Sequence, residues 1–278
     1  MSRAGPGRAE PDRGSRYAQM LMGMLDGKRI LITGVLTDTS LAFGVAQLAV
    51  HEGAQIALTG AGRGLSITQR TARKISADIE VMELDVTVPA HFDAVAARLT
   101  STWGAVDGAL HSIGFAPAVC LGEGMWNAQW DDVATAVQIS AYSMKPLAQC
   151  LLPLFEAAGG GSYVGLTFDA TVAWPGYDWM GVAKAAMESL NRYLARDLAP
   201  ANVRSNLIAA GPIKTMAARA IPGFSKFEER WAEMSPLGWN VKDSSAVAKA
   251  VVAMLSDWFP LTTGEIIHVD GGYHAMGA

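Results

Sequence analysis

The chain has 278 residues, 50% of them apolar and 17% charged, with a formal net charge of −4. That length and apolar content allow one large core or two small ones and exclude a disordered chain. The acid excess argues against a nucleic-acid binder, which needs clustered basic charge, and no uncharged apolar run reaches the roughly 18 residues of a membrane helix.

Residues 1–23, rich in Gly, Pro and Arg and without periodicity, read as a disordered extension. They lack the apolar segment of a signal peptide, so a soluble, cytoplasmic protein is expected. From Leu25 onward, short apolar runs at 29–33, 55–59, 80–84, 106–111, 162–166, 203–208 and 265–269 read as strands. Amphipathic stretches at 41–52, 64–76, 89–103, 130–155, 177–198 and 243–256 separate them. Connections this long call for parallel pairing, and near-continuous apolar strands fit a sheet covered on both faces. The expected fold is a single-domain, doubly wound Rossmann-type α/β domain over 24–278, with about seven parallel strands. Residues 212–240 are its one irregular stretch. Cys120 and Cys150, far apart in apolar surroundings, read as reduced core thiols, and no metal site is expected.

In such a sheet ligands bind beyond the carboxyl ends of the strands, where strand order reverses. After the first strand, Gly34 opens a turn and Ser40 is placed to cap a helix beginning at Leu41, whose free N–H groups suit a pyrophosphate. A capped turn without a ligand is the competing and less favoured reading of that segment alone. Asp85-Val86 and His111-Ser112-Ile113-Gly114-Phe115 follow the third and fourth strands and suit an adenosine. His111, ending an apolar strand, reads better as a hydrogen-bonded core residue than as a catalyst.

The sharpest feature is Tyr177-Asp-Trp-Met-Gly-Val-Ala-Lys184 after the fifth strand. Seven residues return a helix to within about 20° of its starting direction, so the two side chains share a face. A nearby ammonium is expected to lower the phenol pKa, letting Tyr177 donate to a carbonyl oxygen that gains charge, while Lys184 holds a ribose diol. After the sixth strand, Gly211-Pro212 turns the chain and Ile213 and Thr215 reach back toward a cofactor. Beyond them Met216, Ile221, Phe224, Phe227 and Trp231 form either a helix packed on the domain or a lid over an apolar substrate. A long insertion at the ligand end favours the lid.

With these residues the chain resembles the short-chain dehydrogenase/reductase superfamily, and within it the type I enoyl-acyl-carrier-protein reductases. Six residues separate Tyr177 from Lys184, as in that branch, where ordinary members have three. Gly34 with Ser40-Leu41-Ala42, His111 to Phe115, Arg204-Ser205-Asn206, Ala210 to Thr215 and Asp270-Gly271-Gly272 match in order and spacing over about 24–274. Ala141-Tyr142-Ser143, Phe168-Asp169, Trp179-Met180 and Gly238-Trp239-Asn240 resemble the actinobacterial, isoniazid-target type. The segment between Thr215 and Trp239 is shorter than in that long-chain enzyme, which argues against a preference for very long chains.

The resemblance implies hydride transfer from NADH to a trans-2-enoyl thioester of acyl carrier protein or coenzyme A, in fatty acid or mycolic acid synthesis. It also implies a homotetramer. It assigns Tyr177 as oxyanion donor, Lys184 to the nicotinamide ribose, and Phe168 to the nicotinamide–substrate junction. The cofactor falls to Gly34, Ser40, Leu41, Asp85, Val86, Ser112, Ile113, Gly114, Gly211, Pro212, Ile213 and Thr215. The second strand ends in Thr59-Gly60-Ala61-Gly62-Arg63, without the acid usual in NAD sites, so Arg63 keeps NADPH as the alternative donor. The competing functions are a ketoacyl or other carbonyl reductase and a non-catalytic NAD(P) sensor. The first lacks its serine near 167–168, and the second has no reason to keep both Tyr177 and Lys184.

Overall fold

The computed structural model describes residues 23–122 and 124–277; the extension expected at 1–23 lies, but for Gly23, outside the described residues. Among the described residues, seven strands form one parallel sheet in the order β3-β2-β1-β4-β5-β6-β7. They are β1 (Arg29–Ile32), β2 (Gln55–Gly60), β3 (Glu80–Glu83), β4 (Gly108–His111), β5 (Gly161–Thr167), β6 (Val203–Ala210) and β7 (Ile266–Val269). Each coincides with an expected run to within a few residues. Order reverses between β1 and β4, where Ile30 pairs with Gly108 and Ile32 with Leu110.

Alternation along the strands divides the core. Ile30, Ile32, Val164, Leu166 and Ile208 point to one face, where α1 (Leu41–His51) and the helix Ser245–Leu255 cover them. Leu31, Ala109, Tyr163 and Leu207 point to the other, under α3 (Pro89–Thr102) and the long helices that follow β4 and β5. Between these layers in sequence, α2 (Arg63–Ala72) follows β2 and a single turn, α4 (Gly124–Asn127), follows β4. Fully burying one such Leu or Ile contributes roughly 1.5–3 kcal/mol, so two complete faces suffice to define the sheet.

Two elements differ from expectation. The stretch 130–155 is not one regular helix: α5 (Trp130–Val137) passes through a widened turn at Gln138–Tyr142 before α6 (Met144–Ala157). An extra residue in a turn of this kind shifts the helix face and often sits beside a ligand site. Here it gives Ser140 and Ser143 their places under the loop after β4. The irregular segment 212–240 contains a regular helix, α8 (Phe224–Met234), preceded by α7 (Asp178–Leu198) and followed by α9 (Ser245–Leu255). Its buried side, Phe227 and Trp231, recurs at helical spacing, while Lys226, Glu229 and Arg230 face outward.

Candidate active site

A cleft of about 780 Å³ opens at the carboxyl ends of the strands, at the β1–β4 reversal. The sequence-predicted residues Gly34, Ser40, Leu41, Asp85, Val86, Ser112, Ile113, Gly114, Phe168, Tyr177, Lys184, Gly211, Pro212, Ile213 and Thr215 all line it. So do Met216, Ile221, Phe224 and Phe227. Its lining holds two charged side chains, Asp85 and Lys184.

The floor between β1 and β4 is fixed by directional bonds. Thr33 Oγ1 donates to Leu110 O at 3.0 Å and accepts from Ser112 N at 2.9 Å. Gly34 has φ +80°, and a Cβ there would collide with the Ser112 carbonyl, so glycine alone permits this approach. Ser140 Oγ donates to Phe115 O at 2.8 Å and accepts from Phe115 N at 2.9 Å, clamping the loop after β4. His111 is buried, with Nε2 2.8 Å from Ser143 Oγ. The Ser143 hydroxyl already donates to Ile139 O, so Nε2 carries the proton. Burial, helped by the Lys184 charge, pushes the His111 pKa down to about 3, so it is neutral and structural as expected.

Ser40 does not cap α1 with its side chain. Its Oγ accepts from Leu36 N at 3.2 Å and Thr37 N at 3.0 Å, holding the turn before the helix instead. The helix start thereby keeps its first N–H groups free of a side-chain cap, which preserves it as an anion site. Asp85 accepts from both the amide and hydroxyl of Thr87, which hold its carboxyl below the usual range. Gly211 lies so close to Trp239 and Trp231 that a Cβ would meet both rings, and Trp239 Nε1 donates to Pro212 O at 2.8 Å.

At the other end, Tyr177 stands at the entrance to α7 and Lys184 two turns on. Lys184 Nζ donates to Leu166 O at 2.9 Å, with Met187 Sδ at 3.8 Å, rather than to the Tyr177 hydroxyl. An ammonium has three protons, so one is left for a ligand. Burial lowers the Lys184 pKa to about 8 against the raising effect of Glu188. The Tyr177 pKa moves opposite to expectation: burial first, then the Glu188 carboxylate, raise it well above an ordinary phenol. Tyr177 is thus a neutral O–H donor throughout the working range. Glu188, one turn beyond Lys184, was not singled out in the sequence. Its Oε1 accepts from Thr167 Oγ1 and Ala170 N, both at 3.2 Å, and so pins the segment carrying Phe168. Its i+4 spacing from Lys184 was the available signal. Asp178, just after Tyr177, has φ +40°, a strained conformation for a non-glycine residue of the kind found at functional sites.

The Phe168 ring meets Tyr177 edge-on, with centroids 5.2 Å apart, and Phe227 at 5.8 Å. Trp231 is the one predicted substrate residue outside the lining. It is buried behind Phe227, stacked on Tyr273 at 3.8 Å, because its position on α8 turns it toward the domain. Arg63, the first residue of α2, is exposed and also lies outside the lining.

The cleft fits a dinucleotide: a glycine turn and an uncapped helix start at one end, and a free ammonium proton at the other, suited to phosphates and a ribose diol. The parallel sheet, its switch-point cleft and the Tyr–Lys helix after the fifth strand define a Rossmann-type reductase of the short-chain dehydrogenase class. Residues 34–274 match the family described as enoyl-(acyl carrier protein) reductase. An enoyl-acyl-carrier-protein reductase (NADH) of Mycolicibacterium smegmatis is 45% identical over 266 residues, covering 91% of this chain and 98% of its own. The protein of the same name from Mycobacterium avium is 44% identical, with the same coverages. That of Aquifex aeolicus is 39% identical over 92% of this chain and 94% of its own. The chain belongs to the enoyl-acyl-carrier-protein reductase family.

Proposed function

We propose that this protein reduces trans-2-enoyl thioesters of acyl carrier protein or coenzyme A to saturated acyl thioesters with NADH, in fatty acid synthesis. The observation that carries this reading is the meeting of Tyr177, Phe168 and Lys184 at one end of a dinucleotide-sized cleft, with an apolar segment across it.

Bound NADH supplies the hydride that adds to C3 of the substrate. With that hydride on C3, negative charge would develop on the thioester oxygen, and C2 would then take a proton from solvent water at the open cleft. Tyr177 donates its O–H to that oxygen; its raised pKa keeps the proton in place, so it acts as an oxyanion donor and not as a phenolate. Lys184, tied to Leu166 O, points its remaining proton to the ribose hydroxyls. Phe168, held edge-on against Tyr177, packs at the nicotinamide–substrate junction. Thr33 and Ser140 fix the floor on which the adenosine lies, and α1 meets the pyrophosphate. Residues 213–239 act as the substrate lid, with Met216, Ile221, Phe224 and Phe227 against the acyl chain. The absence of Arg63 from the lining favours NADH over NADPH.

We further infer a cytoplasmic homotetramer. Trp258 and Leu261, 72% and 97% exposed, are apolar side chains suited to subunit packing. Sedimentation velocity decides the oligomeric state. The enzymatic reading is tested by following NADH oxidation with crotonyl-CoA or a longer enoyl-CoA against a ketoacyl thioester. Turnover is expected with the enoyl substrates. Activity confined to the ketoacyl thioester overturns the assignment.

A further inference from the structure

The rings around Phe168 form two layers. Phe168 and Phe227 line the cleft; Trp174, Trp231 and Tyr273 do not. Trp174 lies 5.1 Å from Phe168 and 6.1 Å from Phe227, centroid to centroid, one ring behind both. Trp231, 5.1 Å from Trp174, stands beside it and meets Phe168 at 5.8 Å and Phe227 at 6.1 Å, while Tyr273 lies 5.7 Å from Trp174. Trp231 and Tyr273 are stacked nearly parallel, 8° apart. The back layer thus joins three separate parts of the chain: the segment after β5, the lid helix α8 and the C-terminal turn.

Trp174 is held at its polar edge, where Nε1 donates to the Asp169 carbonyl oxygen. That carbonyl adjoins Phe168 on a segment pinned by Glu188 through Ala170 N. Its ring is therefore tied to the sheet and does not depend on the lid for its place. Met216, by contrast, is 49% exposed at the mouth. Trp231 Nε1 is buried without a hydrogen-bond partner among the described residues, its edge turned to Gly211.

We propose that Trp174, flanked by Trp231 and Tyr273, is the specificity-determining wall that ends the acyl groove and sets the longest enoyl chain accepted. The proposal rests on the enoyl-thioester reading of the same cleft. An acyl chain leaving the thioester at Tyr177 runs past Phe168 and Phe227, and both rings rest on Trp174. Close-packed aromatic rings do not compress, so chain beyond this point has no apolar surface to gain. Taking the indole away frees apolar surface on Phe168 and Phe227, next to the groove, that a longer chain can cover.

The test is a chain-length series in the full-length protein. kcat/KM is measured for trans-2-enoyl-CoA substrates from four to about twenty carbons, in wild type and in Trp174→Ala, Trp174→Leu and Tyr273→Ala. NADH affinity is read by calorimetry and folding by circular dichroism. In Trp174→Ala the plateau is expected to move several carbons longer, each newly buried methylene adding about fourfold to kcat/KM. The four-carbon substrate and NADH affinity stay near wild type, and Trp174→Leu shows a smaller shift. A plateau at the wild-type length in the folded variants, or an equal loss at every length, overturns the proposal. If Trp174→Ala does not fold, Trp174→Leu and Tyr273→Ala decide on the same criterion. Wild type inactive on every enoyl thioester while binding NADH sinks the enzymatic reading instead; wild type active with an unmoved plateau sinks the wall alone.

Discussion

The two ends of the cleft are built by different forces. Around β1 and β4 the walls are held by short directional bonds, Thr33 to Leu110 and Ser112, and Ser140 to Phe115. Across the gap, the wall of α8 and the segment after β5 is a set of tilted and edge-on rings, Phe168, Trp174, Phe227 and Trp231. Hydrogen bonds lose much of their strength with small errors in angle, so the first end suits one invariant ligand. Burial of an apolar chain against such rings is non-directional and roughly proportional to area, so the second end suits a ligand whose length varies. The division matches a constant cofactor and a variable acyl chain.

The residues where the two ends meet carry the largest expected effects. Tyr177→Phe keeps the edge-on contact with Phe168 and removes the oxyanion donor. Loss of one such donor costs about 10²–10³ in kcat. NADH affinity, measured by calorimetry, is expected to stay near wild type if the hydroxyl meets the substrate oxygen, as proposed. Equal turnover in the variant removes Tyr177 from the mechanism.

Lys184 lies across the cleft from the β1–β4 bonds but is itself held by a directional bond to Leu166 O, and its removal acts on the cofactor. Lys184→Ala is expected to weaken NADH binding roughly ten- to a hundredfold, the range for a hydrogen bond to a charged group of about 1.5–3 kcal/mol. Its pKa of about 8 adds a pH signature. An ordinary lysine keeps its proton past pH 10, whereas this one loses it as pH rises through 8. NADH affinity of the wild type should therefore decline above pH 8, by up to tenfold per unit, and be flat in that range in Lys184→Ala. His111, neutral down to about pH 3, adds no acid limb. A wild-type affinity constant from pH 7 to 10 contradicts the ribose role.

How far these features were legible in the sequence depends on the same contrast. Strands such as Arg29–Ile32 and Gln55–Gly60 stood out because each carries three consecutive apolar residues in a short run between turn signals, a pattern with few other readings. The Tyr177–Lys184 face followed from helical arithmetic. The widened turn at Gln138–Tyr142 did not, since apolar residues on several sides of this stretch hide the shift of face. Ser40 looked like a cap because its position fits one, but its hydroxyl found the Leu36 and Thr37 amides first. The Tyr177 shift was misread because sequence shows the lysine but not the depth of burial, nor the Glu188 carboxylate that outweighs it. Trp231 was assigned to the lining because apolar residues on an amphipathic helix look alike until the side that meets the domain is known.

The ring-packed end is probed by Phe224, which lines the cleft and touches Phe227 at 6.2 Å. In the wild type, kcat/KM should climb from four-carbon to medium-chain substrates by about fourfold per buried methylene, then flatten before the very long chains. Phe224→Ser should erase most of that rise and spare the four-carbon substrate, which does not reach so far. A profile flat from the start, or one still climbing past about sixteen carbons, breaks the assignment of residues 213–239 as the lid.

The smallest effect is expected at Arg63, on the directional end but outside its bonded frame. Its side chain is exposed at the start of α2, while its neighbours Ala61 and Gly64 line the cleft. A 2′-phosphate would have to draw the guanidinium inward, at an entropic cost that a bare 2′-hydroxyl does not repay. Arg63→Ala should therefore change NADH kinetics by less than about twofold, within the ±0.5 kcal/mol usual for surface substitutions. Residual NADPH use should fall in the same variant, since a cation that could swing in to the extra phosphate is gone. Steady-state kinetics with both cofactors measure this directly. A wild type that prefers NADPH by tenfold, about 1.4 kcal/mol, would show that Arg63 does swing inward, and the cofactor end would then be less rigid than its hydrogen bonds imply.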